Sequence, residues 1–327
     1  MTRNLLALLL ALCLATAPGC IKPKITVFPD RTEPLEEYTL QGKGDEKILV
    51  ISIKGFIADG ARGLPLTRRP GTVQEIVSQL NKAQKDKKIK ALILKVDSPG
   101  GSVTASDMLY HEIVKYKECS GAKVVAVMMS VAASGGYYVS LPADLLMAHP
   151  TTITGSIGVI FMRPGITGLM GKIGLQMEVD KSGINKDMGS PFRQSTEDER
   201  RMLQKLIDDM ADRFLTLAAT HRRLSPEIRN VVSSGRIFYS DEALRLGLID
   251  RIGYLDDAIH EAARMTGLPK DPKVVVYRRS EYHDDNLYNA AIGRPDTPEI
   301  NLIDSGLADV IPPMQSGFYY LWLPAGN

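Results

Sequence analysis

From residue 47 onward the chain alternates short apolar runs with stretches of helical periodicity. Ile48–Ile53 reads Ile-Leu-Val-Ile-Ser-Ile, a β-branched run of strand length. Thr72 followed by Glu75 has the form of a capping box, and Val73, Ile76, Val77 and Leu80 then recur at helical spacing. The apolar run Ala91–Val96 predicts the next strand, which ends at Asp97-Ser-Pro-Gly-Gly101. A helix from Val103 to Lys117 and a strand over Lys123–Met128 follow. Strands separated by helices of this length predict parallel β-strands with crossover helices, an α/β fold. The same rhythm predicts strands at Leu145–Ala148, Ser156–Ile160 and Gln176–Val179. Ser195–Glu199 opens a long helix with Leu203, Leu206, Ile207, Met210, Phe214 and Leu217 on one face, a stripe suited to a core or a subunit interface. A capped helix within 235–250 and another over 255–266 complete a helical C-terminal region. Beyond Gly267 the pattern fades: Val274–Tyr277 predicts an edge strand, residues 280–312 are polar and punctuated by proline, and Gly317–Pro324 is apolar and holds the single tryptophan.

The first residues do not read as part of this fold. Arg3 precedes an apolar run over Leu5–Ala15 that is short for a bilayer span, and Ala17-Pro-Gly-Cys20 follows. That order describes an export signal, and the cysteine after Gly19 resembles a bacterial lipoprotein signal with Cys20 as the acylated residue. Plain secretion or an uncleaved anchor are the alternatives. The expected organisation is a signal peptide over 1–19, a tether over 20–45, the main domain over 46–267 and a C-terminal extension over 268–327. Cysteine usage fits an exported chain without a disulfide framework: Cys13 leaves with the signal, Cys20 carries lipid and Cys119 has no partner. Cys-x-x-Cys spacing is absent and His111, His149, His221, His260 and His283 are scattered, so no metal site is predicted. A net charge of +2, spread evenly, gives no footprint for nucleic acid.

The candidate chemistry centres on Ser134 in Ser130-Val-Ala-Ala-Ser-Gly-Gly-Tyr-Tyr138. A serine hydroxyl becomes nucleophilic only when a base takes its proton. A strand leading into Ser-Gly-Gly and then a helix would expose such a serine beside free backbone N–H groups. Gly135, directly after it, suits an oxyanion donor, and Pro99-Gly-Gly101 offers a second. Either glycine cluster alone is equally explained as a tight strand-to-helix turn. The nearest plausible bases are the lysines of Lys181-Ser-Gly-Ile-Asn-Lys-Asp-Met-Gly-Ser190, and spacing alone does not rank Lys186 above Lys181. A lysine acting as base must be desolvated so that its pKa falls from about 10. Asp187 would oppose that, so it is expected to point away from the amine.

Taken together, Asp97-Ser-Pro-Gly-Gly101, Ser130–Tyr138, Thr154-Gly-Ser-Ile-Gly158 and Lys181–Ser190 closely resemble the signal peptide peptidase A family, serine peptidases of the ClpP/crotonase superfamily. The resemblance spans residues 47 to 266 and also takes in Gly235-Arg-Ile-Phe and Ala243–Asp250. It implies a ClpP/crotonase-like fold of repeated βαβ units, with Ser134 as nucleophile and Lys186 as general base. Ser156 would orient the lysine, and the Gly101 and Gly135 amides would form the oxyanion hole. No cofactor or metal is implied. Implied partners are peptide substrates (cleaved signal peptides and other short or unfolded apolar segments), further copies of the chain in a ring or dome, and a membrane reached through the lipid on Cys20. The implied location is the bacterial cell envelope, facing the periplasm or the exterior. Two rivals share the fold: an acyl-CoA enzyme of the crotonase type, and a scaffold without catalysis. The apolar tail Phe318–Leu323 is expected either to occupy a substrate groove or to pack as an interface arm.

Overall fold

The structure, a computed structural model, describes residues 34–60, 70–279, 286–288 and 316–323. The signal segment, Cys13 and Cys20 lie outside these residues, as does nearly all of the polar stretch 280–312.

Three long parallel strands form the centre: β2 (Lys47–Lys54), β3 (Ile89–Ser98) and β5 (Lys123–Ala133), the last longer than its apolar run suggests. Successive side chains of a strand point to opposite faces. Leu49, Ile51, Leu92, Leu94, Val124 and Ala126 accordingly pack on one side with Val73, Ile76 and Leu80 of α1 (Thr72–Gln84) and with Leu109 and Ile113 of α2 (Val103–Ser120). Ile48, Val50, Ala91, Ile93, Val125 and Val127 pack on the other side with Leu255, Ala258, Ile259 and Ala262. Both faces are covered, which is why these strands read as continuous apolar runs. Their order and the crossover helices are the βαβ architecture expected from the pattern.

β6 (Leu145–Ala148) and the short β10 (Arg251–Ile252) extend this sheet in parallel on one side. On the other side stand β11 (Lys273–Arg278) and β1 (Glu36–Gln41). Two expectations are corrected here. Val274–Tyr277 is not an edge: β11 runs parallel to β2 and carries β1 on its far side. Glu36–Gln41, expected within a tether, is that antiparallel strand, its backbone satisfied by a partner more than two hundred residues away. The expected extension therefore contributes to the central sheet.

The Thr72–Glu75 capping box does not form. Gly71 occupies the cap position, and the Thr72 hydroxyl instead donates to the Phe56 carbonyl at 3.0 Å. The strand expected over Ser156–Ile160 does not form: Ser156–Val159 is a connection between β7 (Ile153–Gly155), which pairs with the end of β5 and with β9 (Ile237–Tyr239), and β8 (Ile160–Met162). Gln176–Val179 forms no strand and is exposed. A second small sheet holds β4 (Gly100–Ser102), β12 (Gly317–Leu321) and β8, with β12 in the middle. The remaining helices are α3 (Gly135–Ser140), α4 (Thr167–Ile173), α5 (Glu197–Arg222), α6 (Pro226–Val232), α7 (Ser240–Arg245) and α8 (Leu255–Thr266). No helix among the described residues is long and apolar enough to cross a membrane.

Candidate active site

β5 delivers Ser134 to the end of the central sheet, and α3 starts at the next residue. Ser134 has φ 52° and ψ −116°. Its amide donates to the Gly155 carbonyl at 2.7 Å, and its carbonyl accepts from the Tyr138 amide at 2.9 Å. The side chain is 1% exposed, and among the described residues Oγ has no hydrogen-bond partner. Among the described residues, only Ser134, Ser156 and Arg223 combine a side chain with positive φ. Arg223 caps the C-terminus of α5, where that conformation is ordinary. The other two are the serines singled out from sequence, and each costs about 1–3 kcal/mol of backbone strain, the kind that clusters at working sites.

The glycines around Ser134 are required by close approach. A Cβ on Gly135 would stand 2.5 Å from Ser106 Oγ, and one on Gly136 would stand 2.5 Å from the Ser98 carbonyl oxygen. Gly100, at φ 106°, has no room for a side chain because the Tyr320 carbonyl oxygen occupies that space. Its Cβ would also lie 2.7 Å from the Gly135 nitrogen. At Gly101 the obstacle is the Ile57 carbonyl.

The structure thus brings Ser134, Gly135, Gly100 and Gly101 to one point, and Ser156 follows the Gly155 carbonyl that holds the Ser134 amide. Ser156 is half-buried, at φ 51°, and its own amide donates to the Arg236 carbonyl at 2.9 Å.

Among the described residues no hydrogen bond joins Lys186 to Ser134: the lysine is exposed and the serine is buried. Lys186 lies between β8 and α5, on an exposed turn where its amide donates to Gly183 at 3.0 Å. The neighbouring Lys181 is committed: its ammonium lies 2.7 Å from Asp187 Oδ1 and donates to the Ile184 carbonyl at 3.1 Å. Arg193 grips both oxygens of the same carboxylate at 2.7 Å and also pairs with Glu199. Hydrogen bonds from Arg193 and then Lys181 hold the Asp187 carboxyl far below the usual range. Asp187 is thereby turned to Lys181 and Arg193, and among the described residues the Lys186 ammonium has no partner. Around this turn Leu169, Ile173, Leu175, Met177, Val179 and Ile184 are all exposed, Ile184 at 81%.

Sequence reasoning missed an aromatic pocket beside the serine. Tyr138 and Phe214 close on the ring of Tyr320, with centroids at 5.0 and 4.8 Å, and the Tyr138 hydroxyl donates to Asp107 Oδ1 at 2.5 Å. Arg213 reaches the same oxygen at 2.7 Å. Burial opposes charge on Asp107, but these two hydrogen bonds outweigh it and hold its carboxyl below the ordinary value. Phe214 had been visible only as one member of a core stripe, and Tyr138 as the end of the serine motif.

Known proteins match this frame. Residues 117–268 fit peptidase family S49, and residues 68–152 fit the Clp protease family. A putative signal peptide peptidase SppA of Enterococcus faecium is 33% identical over 287 residues, covering 85% of this chain and 81% of that protein. Protease 4 of Salmonella typhi is 34% identical over 71% of this chain but only 37% of its own length. The chloroplastic serine protease SPPA of Arabidopsis thaliana is 31% identical, over 80% of this chain and 40% of that protein. With a parallel α/β core, a strained buried serine at a strand end and a relative matched along four fifths of its length, the chain belongs to the signal peptide peptidase A family, peptidase family S49, and is a serine-type endopeptidase.

Proposed function

We propose that the chain hydrolyses peptide bonds with a Ser134–Lys186 dyad in which the lysine comes from a second copy of the chain. The observation that carries this reading is the buried Ser134 Oγ, without a hydrogen-bond partner among the described residues, at the point where the Gly100–Gly101 and Gly135 backbones come together. Neutral Lys186 takes the serine proton as Oγ attacks the scissile carbonyl, and Ser156 accepts or donates a hydrogen bond that holds the amine in place. The Gly101 and Gly135 amides stabilise the tetrahedral oxyanion, each worth about 3 kcal/mol where such donors have been removed elsewhere. The amine then protonates the leaving nitrogen, and afterwards activates the water that frees the acyl group.

Supply of Lys186 from a neighbour is supported by its setting. An exposed turn flanked by six exposed apolar side chains is the composition of an interface. Covering it would also strip water from the amine, which favours the neutral form. Closed rings are a natural outcome of such a head-to-tail contact.

The substrates proposed are cleaved signal peptides and other short or unfolded apolar polypeptides. Similarity to the Enterococcus signal peptide peptidase supports the first. The apolar Leu5–Ala15 run with Cys20 supports export and anchoring of the chain by lipid at the envelope membrane. A serine-reactive fluorophosphonate tests the dyad. Wild type is expected to be labelled at Ser134, Ser134→Ala not at all, and Lys186→Ala at least about a hundredfold more slowly. Labelling that persists in Ser134→Ala would remove the nucleophile from this reading.

A further inference from the structure

We propose that Ser98 is a positioning residue for the hydrolysis: its hydroxyl fixes the course of the Gly100–Gly101 backbone, and its main chain seats the first turn of α3. This rests on Ser134 as nucleophile and on the Gly101 and Gly135 amides as oxyanion donors. It adds the residue that holds those two donors in one arrangement.

Ser98 is the last residue of β3 and is fully buried. A hydroxyl in such a place must find its partners inside the protein. This one has two. Oγ donates to the Gly55 carbonyl at 2.6 Å and accepts from the Gly100 amide at 3.1 Å. The Gly100 carbonyl, at 3.5 Å, is the poorer acceptor, so the single proton goes to Gly55 and a lone pair remains for the Gly100 amide. Gly55 in turn donates its own amide to the Asp97 carbonyl at 2.9 Å. The ends of β2 and β3 therefore grip each other through reciprocal bonds.

The segment fixed in this way has little else to restrain it. Pro99 has no N–H to anchor, and Gly100, at φ 106°, has no side chain. Between Ser98 and Gly101 the Gly100 amide is the one backbone donor, and Ser98 Oγ is its acceptor. The Gly100 carbonyl accepts from the Ile57 amide at 2.9 Å. With both of these groups held, the planar peptide that ends in the Gly101 N–H has a set orientation.

The other donor is set from the same residue. A Cβ on Gly136 would stand 2.5 Å from the Ser98 carbonyl oxygen and 3.4 Å from Ser98 Cβ, so the start of α3 rests directly on Ser98. Asp97 adds a second tie. Between the pairs Val96–Met128 and Ser98–Ala132 the ladder slips, leaving Asp97 alone opposite Met129, Ser130 and Val131. Asp97 Oδ1 accepts the Val131 amide at 3.2 Å and so steadies the irregular stretch that leads to Ser134. Two adjacent residues thus hold the strand that delivers the nucleophile at a fixed spacing from the loop that faces it.

The test compares wild type with Ser98→Ala and Ser98→Cys on a short ester and on its thionoester, whose C=S sulfur is a weak hydrogen-bond acceptor and gains little from amide donors. Wild type is expected to prefer the oxygen ester by at least about a hundredfold in kcat/KM. In Ser98→Ala the ester kcat is expected to fall about ten- to a hundredfold with KM within about twofold, because the donor is misplaced only where oxyanion charge develops. Thionoester turnover should hardly change, so the preference collapses. Ser98→Cys, which fills the same place with a weaker hydrogen-bonding group, is expected to lie between the two and serves alone if Ser98→Ala does not fold. Thermal midpoints and circular dichroism accompany each variant. A merely structural role lowers both turnovers alike, in step with the folded fraction, and leaves the ratio unchanged. That result, or an unchanged ester rate in a folded variant, overturns the inference while the peptidase reading stands. If ester turnover survives Ser134→Ala, the peptidase reading fails and takes the inference with it.

Discussion

Ser134 shows how a single residue can be placed against its own preference. Its positive-φ backbone disfavours any side chain by about 1–3 kcal/mol, and the fold imposes it through the Gly155 and Tyr138 hydrogen bonds. Ser134→Ala keeps the strain and loses the hydroxyl, whereas Ser134→Gly loses both. Allowing for the extra freedom of glycine in the unfolded chain, Ser134→Gly is expected to be about 1 kcal/mol more stable than Ser134→Ala in urea titrations, with neither active. Equal stability of the two variants would mean that the serine backbone is unstrained. Gly135 gives the opposite case. Gly135→Ala would push a methyl to 2.5 Å from Ser106 Oγ and into the space beside the Tyr320 carbonyl, so turnover should fall at least about a hundredfold while the protein remains folded.

Among the elements, the anchor of the Lys186 turn is the most directly testable. Arg193 ties Asp187 on that turn to Glu199 at the start of α5, and Thr196 and Glu199 complete a reciprocal cap there. Arg193→Ala is expected to lower kcat with little effect on KM and to speed amide exchange over residues 183–192; unaltered exchange would show that the turn does not depend on this link. Hydrogen bonds from Arg193 and the Thr196 amide hold Glu199 down to about 2. A carboxylate with a depressed folded pKa stabilises the fold above its unfolded pKa, near 4.3, and loses that contribution as pH falls toward the folded value. The anchor should therefore hold throughout neutral pH and weaken only between roughly pH 4 and 2, with the onset of faster exchange as the readout.

The same comparison explains what the sequence could and could not convey. Thr72-x-x-Glu75 and Thr196-x-x-Glu199 are identical local signals, yet only the second caps its helix, because the first threonine finds a distant carbonyl, that of Phe56. Strands β2, β3 and β5 were legible because burial on both faces makes each a continuous apolar run. The place of β11 inside the sheet, and of β1 beside it, depends on pairing between distant segments that no local pattern encodes. Gln176–Val179 alternates like a strand but finds no sheet within one chain. Ser134 and both glycine clusters were legible as motifs, whereas the pocket of Tyr138, Phe214 and Met210 required the packing of α5 against α3 to appear.

On the scale of the whole molecule, the proposed supply of Lys186 by a second copy makes a prediction about mixtures. Ser134→Ala and Lys186→Ala should each be inactive alone. Mixed in equal amounts after dissociation and reassembly, they should recover about a quarter of wild-type activity, the fraction of contacts that join an intact serine to an intact lysine. A dyad formed within each chain would give no recovery. Charged replacements in the exposed apolar turn, such as Ile184→Asp, should reduce both particle size in light scattering and turnover while leaving the thermal midpoint within a few degrees, since Ile184 contributes nothing to the buried core.

If the proton acceptor is carried on the exposed Lys186 turn of a neighbouring copy, as proposed, there is a consequence for how much of this protein a cell can keep. Sparse copies would be dormant, each with its chemistry unfinished. Dosage and crowding, rather than a dedicated inhibitor or an activating cut by another enzyme, would then decide when hydrolysis begins.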